Sequence, residues 1–154
     1  MMTAEQIRSL ISDIPDPEIP VISITDLGIL RSVDVIGEKV IVTITPTYSG
    51  CPALNTISQS ITEILHENGL NNVDVKTVYF PVWTTDWMND EAKERLKIYG
   101  IAPPGKLNGV NKPICCPRCE STDVKLVSQF GSTACKALYK CNTCLEPFDH
   151  FKCH

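Results

Sequence analysis

No run among the 154 residues approaches the ~18 consecutive apolar positions that a membrane-spanning helix needs. No basic segment precedes the first apolar residues, and MMTAEQIRSLISDIPDPE is acidic and amphipathic, so it does not read as a secretory signal. The expected location is the cytoplasm, with no membrane partner. Aromatic residues make up only 6% of the chain, too few for a base-stacking platform. No glycine-rich dinucleotide fingerprint is present, and the di-iron constellation of two Glu and two Glu-x-x-His motifs is not complete. With 43% apolar and 21% charged residues the chain is nonetheless globular.

The net charge of −4 is unevenly spread. Residues 1–105 hold 7 Lys/Arg against 14 Asp/Glu, and residues 106–154 hold 7 against 4. Two modules are the natural reading of that asymmetry. The acidic one is the larger, and the positive charge of the other is scattered, so nucleic acid is not an expected partner.

A helix is predicted from Thr3 to Ile14. Thr3 and Gln6 have the spacing of a capping box, and Ile7, Leu10, Ile11 and Ile14 make one apolar stripe. Pro15 and Pro17 end it. DPEIPVISITDLG has no clear period and reads as a structured loop. Leu30–Ile36 and Val40–Thr45, separated by Gly37-Glu38-Lys39, predict a β-hairpin. A helix follows over about Pro52 to Asn68, then a strand over Val73 to Phe80 and a short helix over Asp90 to Tyr99. The expected fold class is α+β: a small mixed sheet packed by helices in residues 1–100, a linker over 101–110, and a β module over 111–154. Within the last, Val124–Ser128, Ala137–Lys140 and Phe148–Lys152 are the strand candidates.

Cysteine carries the chemistry. Of the 8 cysteines, 7 lie after residue 114. Cys116-Pro-Arg-Cys119 and Cys141-Asn-Thr-Cys144 are two Cys-x2-Cys pairs with 21 residues between them. Each such pair makes a tight turn whose amides point at its sulfurs. Two facing turns form a tetrahedral four-sulfur site for Zn2+ with no open position, hence structural. Iron or a cluster could use the same sulfurs. Cys115 offers an alternative register to Cys116. Glu120 stands where such a turn often has glycine. Cys135 and Cys153 are read as buried small hydrophobes and His150 and His154 as surface groups. The competing reading is a second thiol site formed by Cys135, Cys153 and Cys51.

Cys51 is the lone cysteine of the acidic module. It precedes Pro52 at a predicted helix start, where the helix dipole would favour a thiolate. Thr45, Thr47, Tyr48 and Ser49 supply hydroxyls around it. It is either a reactive or metal-holding thiol or a buried cysteine at a helix start. His66 reads as a surface residue, Asp16, Glu18 and Asp26 as turn and capping residues, and Trp83 and Trp87 as core or domain-contact aromatics.

DPEIPVISITDLGIL, the hairpin and TPTYSGCPA together resemble the iron–sulfur cluster assembly (metal–sulfur cluster biosynthesis) family over about Ile7 to Tyr99. WTTDW, GIAPP, CPRC and FGSTACKALYKCNTC…EPFDHFKC are similar to one branch of it that carries a zinc-ribbon-like tail. The resemblance implies that Cys51 is the reactive or cluster-associated thiol, with Asp26 nearby. It implies a maturation role in the multicomponent phenylacetyl-CoA epoxidase system, beside oxygenase and flavin/iron–sulfur reductase subunits. It also implies a transient iron–sulfur cluster besides structural Zn2+, and no turnover of the protein's own. Two other readings stand beside it, a zinc-ribbon adaptor and a thiol redox protein acting through Cys51. A homodimer is left open.

Overall fold

A computed structural model describes residues 1–48, 50–104 and 113–152. The expectations placed on Ser49, Cys153, His154 and residues 105–110 lie outside the described residues. The chain divides into two compact units, Met1–Trp83 and Thr84–His154.

In the first unit, α1 (Ala4–Ile11) starts as its sequence dictates. The Thr3 hydroxyl accepts from the Gln6 amide, and the Gln6 side chain accepts from the Thr3 amide. Strands β1 (Leu30–Ile36) and β2 (Lys39–Ile44) pair antiparallel around Gly37-Glu38. Gly37 has φ +62°, the left-handed value that a tight hairpin turn takes at this position. The turn is two residues long because Lys39 joins the ladder, opposite Ile36.

Along β2, Val40, Val42 and Ile44 are buried and the residues between them are half-buried. This period of two turns one sheet face onto the helices. The chain then enters α3 (Ala53–Glu67) and returns as β3 (Val73–Thr77), which pairs parallel with β2. The order β1-β2-β3 thus contains one βαβ unit, β2-α3-β3. Helix α3 buries Ile57, Ile61 and Leu65 at helical spacing, and it packs on α1 and β3.

One short helix lies in the segment expected to be a loop. In α2 (Ile24–Leu27), Ser23 and Asp26 form a second capping box, and Gly28 closes it with φ +78°. Four residues are too few to show a 3.6-residue period, so only the cap could reveal it in the sequence. Trp83 is buried, and its indole N–H donates to the Leu27 carbonyl at 2.7 Å. It is therefore a core aromatic.

The second unit opens with a 3-10 turn (Thr85–Trp87) and α4 (Asp90–Tyr99). Asn89 caps α4 at one end and Gly100, at φ +95°, at the other. Residues 101 and 102, expected to be linker, instead form β4 (Ile101–Ala102), buried and paired parallel with β7 (Pro147–Phe151). Two residues show no periodicity, so sequence gives them no strand signal. With β5 (Val124–Ser128) and β6 (Lys136–Cys141) they make a four-stranded sheet of order β4-β7-β6-β5. No helix among the described residues is long and apolar enough to cross a membrane.

Ile61 is fully buried in α3, so Ile61→Ala leaves a cavity. It should lower the stability of the first unit by about 2–5 kcal/mol. Urea unfolding followed by Trp83 fluorescence measures this, and a change within error would contradict the packing described.

Candidate functional site

The sulfurs of Cys116, Cys119, Cys141 and Cys144 all lie within 4.8 Å of one another. Cys116 and Cys144 are 3.7 Å apart and Cys119 and Cys141 3.5 Å apart, Sγ to Sγ. A tetrahedral ion with bonds of ~2.3 Å would set sulfurs about 3.8 Å apart, so the cage is close to the size zinc requires. Cys115 is exposed and is not one of the four, so the cage takes the register that begins at Cys116.

Backbone geometry makes the cage. After Cys116, the Glu120 amide turns back to the Cys116 carbonyl, and Cys141 accepts the Cys144 amide on its sulfur at 3.4 Å. Each turn ends in a left-handed residue, Glu120 at φ +62° and Leu145 at φ +66°. An L side chain in this region costs roughly 1–2 kcal/mol. The absence of glycine at 120 therefore strains the first turn without undoing it. Lys97 of α4 holds Glu120 with a 2.6 Å ion pair.

Amides of Cys144 and Thr143 aimed at its sulfur bring the Cys141 thiol down to about 6. Cys144 accepts the Glu146 amide, yet burial and the neighbouring sulfurs push it up to about 12. The amides aimed at Cys141 favour its thiolate, and a cation held by the four sulfurs would displace the protons of the others. Cys116 and Cys141 are also core residues. With Ala102 and Phe148 they form the buried cluster, flanked by Ile114, Val124, Tyr139 and Cys144.

Cys51 occupies a different setting in the first unit. It lies in the loop from the carboxyl end of β2 to α3, the position where α/β units place ligand-binding groups. Pro52 is the N-cap of α3 and makes no side-chain cap bond. The Cys51 sulfur instead accepts the Ala53 amide, and the Thr47 and Tyr48 hydroxyls donate to it. The thiol is half-buried.

The expected thiolate is corrected here. Burial raises the Cys51 pKa above its ordinary value; the Ala53 amide lowers it, Glu18 raises it further, and the two hydroxyls lower it. Desolvation outweighs the helix terminus. No spacing rule could have brought Glu18 to this thiol. Thr45 begins the same loop, and its buried hydroxyl has no partner among the described residues.

Asp26 and Asp16 both accept from backbone amides close in sequence. Asp26 accepts from the Ser23 amide at 3.1 Å, and one Asp16 oxygen accepts from the amides of Glu18 and Ile19 at 2.8 and 2.9 Å. His66 is exposed on α3. His150, expected at the surface, is instead buried on β7. Its Nδ1 lies 3.2 Å from the Ala102 carbonyl and its ring edge meets Tyr139. Burial lowers its pKa against the pull of that carbonyl, which favours neutral imidazole. Cys135 is buried, with its sulfur 3.0 Å from the Thr133 hydroxyl.

Known proteins match both halves. The family described as iron–sulfur cluster assembly protein matches residues 4–78, and the PaaD zinc beta ribbon domain matches residues 101–152. A protein of Escherichia coli (strain K12), named provisionally as the D component of a 1,2-phenylacetyl-CoA epoxidase, is 52% identical over 151 residues. That match covers 96% of this chain and 92% of the relative. The chain belongs to this family of phenylacetyl-CoA epoxidase D components, in which an iron–sulfur cluster assembly domain precedes a zinc ribbon.

An Fe-S protein maturation auxiliary factor of Porphyromonas gingivalis (strain ATCC BAA-308 / W83) is 34% identical over 94 residues. The match spans 60% of this chain and 89% of that protein. A domain of unknown function from Bacillus anthracis superimposes with a TM-score of 0.56 at 26% identity, covering 62% of this chain and 92% of its own. A conserved hypothetical protein from Thermotoga maritima gives 0.52 at 26% identity, covering 62% and 94%.

A raised Cys51 pKa means a neutral thiol at pH 7. Its alkylation, followed peptide by peptide by mass spectrometry, should rise with pH around a midpoint above the ordinary ~8.5. A midpoint below that value would restore the thiolate.

Proposed function

We propose that this protein is an accessory subunit of a phenylacetyl-CoA epoxidase system, without turnover of its own. On this reading it assists the assembly or transfer of an iron–sulfur or iron centre in partner subunits, namely the oxygenase and the flavin/iron–sulfur reductase. The cytoplasm is where such a system would work.

The observation that carries the reading is Cys51 itself. A half-buried neutral thiol at the carboxyl end of β2 is a poor standing nucleophile. A soft metal supplies what desolvation withholds, because binding displaces the proton and leaves thiolate at the metal. Cys51 would therefore engage iron or a cluster as cargo and return to its neutral state on release. Asp26 is proposed as a positioning residue for the loop that presents Cys51, through its cap on α2. The name of the Porphyromonas gingivalis relative, which matches 60% of this chain, supports the same role.

Cys116, Cys119, Cys141 and Cys144 are proposed as ligands of a structural Zn2+. All four coordination positions would be filled by sulfur, so this ion stabilises the second unit and takes no part in transfer.

Cys51→Ser should lower iron and acid-labile sulfide in the partner reductase when the subunits are produced together, and leave one zinc per chain. Unchanged occupancy would remove the maturation role. If complex formation also stayed tight, the protein would be an adaptor.

Cys116→Ser or Cys141→Ser should abolish zinc binding and make the second unit sensitive to protease, with α1 to β3 still folded. An intact, protease-resistant second unit would overturn the structural role of the ion.

A further inference from the structure

Strand β3 pairs with β2 on one side and takes no strand on the other among the described residues. Its free side can be read from the hydrogen bonds. The Val40 amide donates to the Asn72 carbonyl and the Val78 amide donates to the Ile44 carbonyl, both at 2.9 Å, with Val40 in register with Val73. In a parallel ladder alternate residues bond one neighbour. Residues 72, 74, 76 and 78 therefore turn their backbone to β2, and Val73, Val75 and Thr77 present N–H and C=O groups outward.

An open edge of this kind is a template for another strand, and a lysine on it ordinarily discourages pairing. Here the charges are arranged differently. The strand reads Val-Asp-Val-Lys-Thr, with Asp74 and Lys76 on one face, flanking Val75. Lys76 is exposed and forms no ion pair among the described residues, and Asp74 meets Lys39 at 3.1 Å in a solvent-exposed pair.

We infer that β3 is a self-complementary edge that joins a second copy of this chain across a two-fold axis at Val75. In that antiparallel register Val75 lies opposite Val75 of the second copy and Val73 opposite Thr77, so the outward backbone groups all meet. Asp74 faces Lys76 of the second copy, and Lys76 its Asp74. Moving the axis to position 74 sets Asp against Asp, and to position 76 Lys against Lys, each destabilising. Axes at 74 and 76 would also set outward backbone groups against one another, so the Asp74 and Lys76 charges are what select the axis at Val75.

The union makes one continuous six-stranded sheet, and its isologous interface closes the assembly at two copies. Tyr79, Phe80 and Val82, at 62%, 84% and 65% exposure, continue directly from this edge. The same register brings Asn71 and Leu70 of the second copy across from Tyr79 and Phe80. Five-residue edges alone bury less than the ~1,000 Å² of a stable interface, so these side chains supply the remainder and the dimer is weak.

The inference does not rest on the role of Cys51, and Cys51→Ser should leave it unchanged. Sedimentation of the full chain across a concentration series should show a reversible monomer–dimer equilibrium. Lys76→Asp or Asp74→Lys alone makes every charged cross-strand contact repulsive and should weaken association about tenfold. An equimolar mixture of the two variants restores two opposite pairs and should recover it. A monomer at every concentration, a dimer indifferent to the single changes, or a mixture that fails to recover would each overturn the assignment. Amide exchange of the unaltered protein gives a second reading. Val73, Val75 and Thr77 amides should gain protection as concentration rises, and uniformly fast exchange would overturn the assignment without any variant.

Discussion

The second unit is organised around four sulfurs that lie within 4.8 Å of one another. Its buried side chains are few, and two of the four cysteines, Cys116 and Cys141, are members of its apolar cluster with Ala102 and Phe148. In so small a module a metal held by these sulfurs would take the part that a larger domain assigns to leucine and isoleucine. The left-handed backbone at Glu120 and Leu145 follows from the same constraint: the turns accept local strain because the cage defines where the sulfurs sit. The first unit needs no such device. Ile7, Ile11, Val42, Ile44, Ile57, Ile61 and Leu65 give it a continuous aliphatic core.

That contrast separates two uses of one chemical group. The ribbon sulfurs receive directed amides, and Cys141 is driven toward the thiolate. Cys51 receives an amide and two hydroxyls as well, but burial and the Glu18 carboxylate prevail. The first arrangement suits an ion that stays. The second would suit the cargo role proposed for Cys51, since release would return it to a stable protonated state.

Much of this is readable from residues alone wherever the signal is local. Thr3 with Gln6, the β-branched run of β2, the spacing of Ile57, Ile61 and Leu65, and the two Cys-x2-Cys pairs act over a few positions, and the structure follows them. The α+β class with its four-cysteine ribbon is legible for that reason. What escapes depends on distance or on shortness. Ile24–Leu27 and Ile101–Ala102 are too brief to display a period. His150 is buried because β6 and β4 flank its strand, which its neighbours in sequence do not announce. The helix start beside Cys51 argues for a low pKa, and the opposing contributions come from burial and from a carboxylate 33 positions earlier in the numbering.

Strand β4 also bears on how the chain can be divided. Ile101 and Ala102 pair with Asp149 and His150, so the outer strand of the ribbon sheet is contributed from ahead of the first cysteine pair. A fragment beginning at residue 111 would keep all four ribbon sulfurs and still expose the edge of β7, with the His150 ring deprived of the Ala102 carbonyl. The ribbon is therefore not a cassette bounded by its cysteines. Any fusion, truncation or exchange between relatives that keeps it whole must carry the residues before its metal site, beginning with the helix that leads into β4.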